Sequence, residues 1–375
     1  MKKVVATERI PIKMWLDDIE DGALQQAQHV ANLPFIYKHV ALMPDAHLGY
    51  SFPVGSVVAL EGAICPAGVG KDIGCGMSAV KTRFQRDEIS KEFFLEIYNK
   101  TKSVIPAGLN CRNSVPVNKS QMPLDVIWTS VIDEHLDNAR YQLSSLGAGN
   151  HFLEFQVSLS DNRIWIMIHS GSRNLGSKVA DHYDAIAKNL NARWHSSVPK
   201  EHNLAFLPIE TQEAQDYILD MNYCIKYAFL NRKLMMERTI QVFESVLGTS
   251  NVVDGEMINI AHNYARWENH FGKNVLVHRK GATSARLGEV GIIPGSQGSH
   301  SYIVTGLGNK DSFESCSHGA GRRMGRKEAQ RILDLEQEKK RLDDQGILHG
   351  IKSVDELDEA TGAYKDIDVV MENQK

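Results

Sequence analysis

The chain has 375 residues, with 42 Lys+Arg against 46 Asp+Glu and a formal net charge of -4. Apolar residues make up 42% and charged residues 23%, an ordinary globular balance that excludes collagen-like repeats, global disorder and low complexity. No apolar run reaches the roughly 18 residues needed to cross a bilayer, so no membrane association is expected.

In chain order, the N-terminal MKKVVATERIP meets Glu8 and Arg9 before an apolar core can form, so a secretion signal is not expected. Residues 15–32 place acids early and apolar side chains at helical spacing, which predicts a first helix. Residues 54–60 and 77–83 read as strands on either side of a glycine-rich loop, and 88–100 and 124–144 as helices. Residues 152–157 and 163–169 read as a strand pair turning at Ser160-Asp161-Asn162. Residues 176–196 and 212–247 predict long helices, 275–279 and 301–305 strands, and the charged stretch 322–344 a helix. The last twenty residues are acidic and weakly patterned. With no internal repeat and no Pro/Gly/Ser-rich linker, this irregular alternation predicts an α+β fold. It is expected to be one large domain over 1–375, with central sheets flanked by helices.

Five cysteines, Cys65, Cys75, Cys111, Cys224 and Cys316, are too sparse and odd in number for a disulfide framework. The expected compartment is the reducing cytoplasm, where a cysteine near histidines binds metal or reacts. The slightly acidic balance does not advertise nucleic-acid binding, although a local basic patch would suffice for it.

The chemistry gathers where glycine and histidine do. Asp45 and His47 fall in a turn opened by Pro44 and closed by Gly49. Asp72 and Cys75 flank Ile73-Gly74, and such a pair can aim a carboxylate and a thiolate at one ion if the backbone turns between them, as glycine permits. The structural alternative is a glycine-rich connection with a buried cysteine. In LGAGNHFLEF, Asn150 and His151 precede a strand, and Glu154 falls on the opposite face from His151. In IMIHSGSRNLG, His169 ends an apolar strand; the amides of Ser170–Arg173 and the Arg173 guanidinium could hold an anion, unless Ser170 or Ser172 simply caps the helix. His262, Arg266 and His270, spaced by four, share one face of an expected helix, where a lone histidine more often packs than ligates. The glycines and serines around Pro294 in 291–309 predict a loop with Ser296 and Ser301 as hydroxyl donors. His318 sits among small residues, and Arg322, Arg323 and Arg326 follow it into a helix whose charges could equally be a solvated face. Together these dispersed residues point to a metal site built by the tertiary fold and handling phosphates; there is no CxxC pair and no zincin HxxxH spacing.

These segments resemble the RtcB family of RNA-splicing ligases. MPDAHLG, VGKDIGCGM, GAGNHFLE, HSGSRNLG, AHNYA, HRKGATSA, IIPGSQGSHSYIV, SCSHGAGRRMGR and AYKDID appear in the family's order, from roughly residue 40 to 370. The resemblance implies an RtcB-like fold and a GTP-dependent ligase acting in RNA repair or tRNA splicing. Its partners would be RNA with a 3′-phosphate or 2′,3′-cyclic phosphate end and RNA with a 5′-hydroxyl end. It also implies a pair of Mn²⁺ ions bridged by Cys75, with Asp72 and His151 completing one site and His169 and His262 the other. By the same resemblance His318 is the nucleophile that becomes guanylylated. Asn150, Glu154, Ser296, Ser301 and Tyr364 match guanylate contacts; Arg173, Arg322 and Arg326 match phosphate-handling positions. Asp45 lies in a motif required for activity, with no role assigned. A monomer is expected. Family members carry a further stretch after AYKDID that ends in Val-Lys-Gly, whereas this sequence ends in ENQK, so the expectation is a shorter, divergent member. Two other classes compete: a metal-dependent phosphodiesterase or phosphatase acting on RNA ends, and a non-catalytic RNA-end binder using the arginines after His318.

Overall fold

The run VGSVVAL forms the strand Val54–Leu60, and its lack of polar alternation has a physical reason. Both faces are covered: Val58 and Leu60 join Val40, Leu42 and Phe52 in one cluster, while Val57 and Ala59 join Ala41, Met43 and Val277 in another. A computed structural model describes residues 1–108 and 117–375; Cys111 lies outside the described residues. The chain divides into two compact units, the first made of Met1–Gly70, Tyr183–Ala214 and His262–Lys375, the second of Lys71–His182 and Gln215–Ala261.

The first unit holds a six-stranded sheet in the order Lys3–Val5, Ile12–Met14, Ile36–His47, Val54–Leu60, Lys273–Lys280, Asn263–His270. Ile12–Met14 and Ile36–His47 pair in parallel; every other pairing is antiparallel. Helix Asp21–Ala31 lays Ala27, Val30 and Ala31 against this sheet's core. It starts six residues later than 15–32 predicts, because the Trp15 amide donates to the Leu42 carbonyl and continues the strand pairing. Asp45 and His47 also differ from expectation: they end the strand Ile36–His47 rather than sitting in a turn, and Pro44 is absorbed at a register shift between Leu42 and His47. The loop expected at 291–309 is a hairpin, with Val290–Ile293 paired to Tyr302–Thr305 around a shorter connection. The helix expected at 322–344 is two helices, Arg326–Ile332 and Leu335–Asp343, the second capped by the Asp334 side chain on the Gln337 amide.

The second unit holds a four-stranded antiparallel sheet in the order Ile258–Ala261, Gly76–Gln85, Arg163–Ser170, Phe152–Val157. Ile164, Ile166 and Ile168 point one way, into a core with Ile97 of helix Lys91–Val104 and Met235, Met236 and Phe243 of helix Gln212–Leu247. Period-two alternation then turns His169 to the other face. Each buried isoleucine stabilises by about 1.5–3 kcal/mol, so a one-residue slip that reversed His169 would expel all three from the core. The α+β reading holds, and the strands 54–60 and 152–157 and the helix 212–247 lie where the sequence predicts them. Among the described residues no helix is long and apolar enough to cross a membrane.

Candidate active site

In the second unit, the turn before Gly76–Gln85 and the ends of the strands beside it bring Asp72, Cys75, His151 and His169 together. Cys75 Sγ lies 3.4 Å from His151 Nε2 and 3.2 Å from His169 Nε2, and His151 Nε2 lies 2.9 Å from Asp72 Oδ2. Both imidazoles are oriented from behind. His151 Nδ1 is 3.0 Å from the Leu146 carbonyl and His169 Nδ1 is 2.8 Å from the Asn150 carbonyl. A carbonyl only accepts, so each Nδ1 carries a proton and each Nε2 is turned toward the thiol. One Asp72 oxygen is held by the Ser172 amide at 3.1 Å. One of the amides expected to receive an anion, that of Ser172, therefore receives the chain's own carboxylate. The Ser170 and Ser172 hydroxyls donate to the Leu146 and Ile73 carbonyls.

Backbone geometry makes this close approach. A Cβ on Gly171 would lie 2.1 Å from Asp72 Oδ1. Gly147 has φ +111°, and a Cβ there would lie 2.1 Å from His151 Nδ1. The result is a close cluster of a carboxylate, a thiol and two imidazoles. One donor atom each of Asp72, Cys75 and His151 lie within 4.8 Å of one another, compatible with the separations of about 3.5 Å that ligands at 2.0–2.3 Å from one ion impose. Burial pushes the Cys75 thiol well up and the Asp72 charge adds to it. Burial also opposes the Asp72 charge, but the hydrogen bond and charge of His151 outweigh it and hold the carboxyl below its usual range. A cation could take the thiolate, the carboxylate and the imidazole nitrogens at once, displacing their protons. The donor chemistry thus fits a metal ion.

In the first unit, His318 follows the short strand Ser315–Ser317, which pairs with Ala282–Ser284. Its Nδ1 lies 2.6 Å from Asp45 Oδ2, and the amides of His318 and Gly319 donate to the same oxygen at 3.0 and 3.3 Å. Asp45 is fully buried. Burial alone would raise its carboxyl, but the charge and hydrogen bond of His318 leave it below the usual range. With Nδ1–H committed to Asp45, the His318 lone pair resides on Nε2. Asp45, expected to matter but without a role, orients the histidine. His262 is buried beside it, with ring centroids 4.8 Å apart. It is not helical: it links the strands Ile258–Ala261 and Asn263–His270, the latter paired residue for residue with Lys273–Lys280. Arg266 and His270 do share a face, as strand neighbours on Glu268.

The remaining expected residues are placed as follows. Asn150 is exposed and contributes its carbonyl to His169. Glu154 is half-buried, accepts from Gln156 at 2.6 Å, and burial pushes its carboxyl up to about 7. Arg173 donates to Ser145 Oγ and the Gly108 carbonyl. Ser296 bonds Ser299, and Ser301 accepts from the Gly295 amide, so both hydroxyls brace the hairpin loop. Arg322, Arg326 and Tyr364 converge on one carboxylate, Glu359: Arg322 at 2.9 Å, Arg326 at 2.8 Å, and Tyr364 through its hydroxyl. Sequence reasoning missed Glu359; the acidic run VDELDE just ahead of AYKDID was its only signal. Arg322 also donates to the Met324 and Asp358 carbonyls, so that among the described residues two of its five N–H groups are uncommitted, while Arg326 is half exposed.

A mixed α/β protein with a carboxylate–thiol–imidazole nest and a histidine buttressed by a buried aspartate is the class these features define. A family model described as tRNA-splicing ligase RtcB matches residues 26–128 and 127–375. The chain is 37% identical over 393 residues to the RNA-splicing ligase RtcB of Escherichia coli (strain K12), covering 99% of this chain and 95% of that protein. It is 32% identical over 440 residues to the tRNA-splicing ligase RtcB of Thermococcus kodakarensis, covering 97% and 90%. For the protein of the same name from Methanococcus maripaludis the figures are 33% over 439 residues, 96% and 90%. The chain belongs to the RtcB family.

Proposed function

We propose that the protein is a cytoplasmic RNA ligase that joins a 3′-phosphate or 2′,3′-cyclic phosphate end to a 5′-hydroxyl end, using GTP and a pair of Mn²⁺ ions, in RNA repair or tRNA splicing. The observation that carries this reading is the 2.6 Å contact between His318 Nδ1 and buried Asp45, which leaves Nε2 as a directed nucleophile. In the proposed reaction Nε2 attacks the α-phosphorus of GTP; an N–P bond forms and the bond to pyrophosphate breaks. Asp45 steadies the positive charge that grows on the ring, as a carboxylate behind a catalytic imidazole does. The guanylate then passes to the RNA 3′-phosphate, a cyclic end having first been opened by water, and His318 is restored. Attack by the 5′-hydroxyl forms the phosphodiester and releases GMP.

Asp72, Cys75 and His151 would hold one ion, and Cys75, His169 and His262 the other. Bound there, the ions supply charge neutralisation at the phosphate oxygens. Asn150, Glu154, Ser296, Ser301 and Tyr364 hold the guanylate in this reading. Arg173 and the free N–H groups of Arg322 and Arg326 take RNA or nucleotide phosphates. The test is a labelling experiment: protein incubated with Mn²⁺ and α-labelled GTP acquires an acid-labile, alkali-stable label, and His318→Ala does not. Opening of a cyclic phosphate to a monophosphate without GTP, with no joined product, would instead favour the phosphodiesterase. RNA affinity without turnover under any metal and nucleotide would favour the binder.

A further inference from the structure

Helix Gln212–Leu247 carries, near its middle, two adjacent polar residues with no exposure at all, Asn231 and Arg232. Neither donates to a proposed metal ligand atom. Their hydrogen bonds go instead to the chain segments that carry those ligands. Asn231 Oδ1 accepts from the amides of Ser144 and Ser145 at 2.6 and 3.2 Å. Its Nδ2 donates to the Ser145 carbonyl, Ser170 Oγ and the Gly171 carbonyl at 3.1–3.2 Å. Arg232 Nη1 donates to the carbonyls of Gly74 and Ser170, both at 2.9 Å, and its Nε donates to Asn259 Oδ1 at 2.7 Å.

Gly74 lies between Asp72 and Cys75. Ser170 follows His169, and its hydroxyl donates to the Leu146 carbonyl that also orients His151. Asn259 lies three residues before His262, in the strand that pairs with Gly76–Gln85. One dipeptide on one rigid helix therefore ties down every segment that contributes a proposed ligand. Packing alone does not explain it. Arg232 makes no ion pair among the described residues and its Nη2 has no hydrogen-bond partner. Burying such a group costs several kcal/mol that an apolar side chain of similar volume would avoid.

We propose that Asn231 and Arg232 are positioning residues for the metal centre, fixing the backbone of the Asp72–Cys75 turn, the approach to His151, the end of the His169 strand and the strand leading to His262. This rests on the proposed metal reading. Losing such support behind ligands costs about 10- to 100-fold in metal affinity. The experiment measures Mn²⁺ binding to the full-length chain by calorimetry or electron paramagnetic resonance, beside far-UV circular dichroism and a thermal melt. Arg232→Lys keeps the charge but loses the fork; Asn259→Ala removes the Nε partner together with the Asn259 amide's bond to the Phe229 carbonyl. Cys75→Ala is the control. The expected result is 10- to 100-fold weaker Mn²⁺ binding by Arg232→Lys, a smaller loss in Asn259→Ala, and joining activity recovered by excess Mn²⁺, so that the metal requirement rises while turnover at saturation is kept. Wild-type affinity in both folded variants, with Cys75→Ala deficient, overturns the positioning role alone. Should Arg232→Lys fail to fold, unchanged affinity in Asn259→Ala overturns it. A wild-type chain that binds no Mn²⁺ overturns the metal reading and this inference with it.

Discussion

The two halves of the candidate machinery solve opposite electrostatic problems. Around His318 one carboxylate oxygen of Asp45, Oδ2, receives the ring N–H and two backbone amides, while its other oxygen, Oδ1, is buried without a hydrogen-bond partner among the described residues. Around Cys75 a thiol, two imidazole nitrogens and a carboxylate converge within hydrogen-bonding distance of one another, each imidazole held from behind by a carbonyl on its Nδ1. The first arrangement holds one side chain in one orientation. The second gathers a carboxylate, a thiol and imidazoles, the donor types that one cation can take together. The same contrast recurs between two carboxylates. Glu268 in the first unit is buried and doubly bonded by Arg279, at 2.6 and 3.0 Å, and held well below the usual range against its burial by His270 and the arginines. Glu154 in the second unit accepts from the Gln156 amide, which does not outweigh the burial that pushes its carboxyl up to about 7.

The sharpest way to break the comparison is Cys75→Ala. If one sulfur serves two ions, metal counting on the purified variant finds both gone and joining falls by about 10³-fold or more; full wild-type metal content would refute sharing. Asp45→Asn attacks the other half. Guanylylation should fall by about 10²- to 10⁴-fold, the scale of the Asp-to-Asn loss behind a catalytic imidazole, while Mn²⁺ content stays at the wild-type value. Equal loss of metal would show that the two clusters are not electrostatically separate problems. Glu268→Ala leaves Arg279 buried without its carboxylate and should destabilise the fold by about 3–5 kcal/mol in denaturant melts; a change under 1 kcal/mol would mean Arg279 finds other support. The smallest effect is expected at Glu154. Its carboxyl holds a proton to about pH 7 when folded but only to about 4.5 when unfolded, so folding stability declines as pH rises between those values and is level above them. Glu154→Gln should flatten that decline in melting temperature, and an unchanged slope would count against the burial of the carboxyl.

Much of this was legible locally. DxxC with glycines, NH ahead of a strand and H at the end of RIWIMIH are each complete in a few residues, and the strand period of two already sets His169 apart from its isoleucines. His262 was misread because AHNYARWENH also carries a four-residue spacing, and pairing with Lys273–Lys280 overrode the helical reading. Asp45 was misplaced because Pro44 and Gly49 signal a turn, whereas a register shift keeps the residue in the strand. Glu359 escaped because an acidic run usually marks a solvated face.

By itself the sequence determined the helices and strands whose apolar period is unambiguous, the donor types available for metal and phosphate, and the family. Only the tertiary structure decided which carboxylate stands behind His318, which carbonyls set the imidazole tautomers and why Asn231 and Arg232 are buried. Those outcomes depend on pairings between residues tens to hundreds of positions apart. Side-chain periodicity describes one segment's preference for a face, and carries no record of which distant backbone will meet it there.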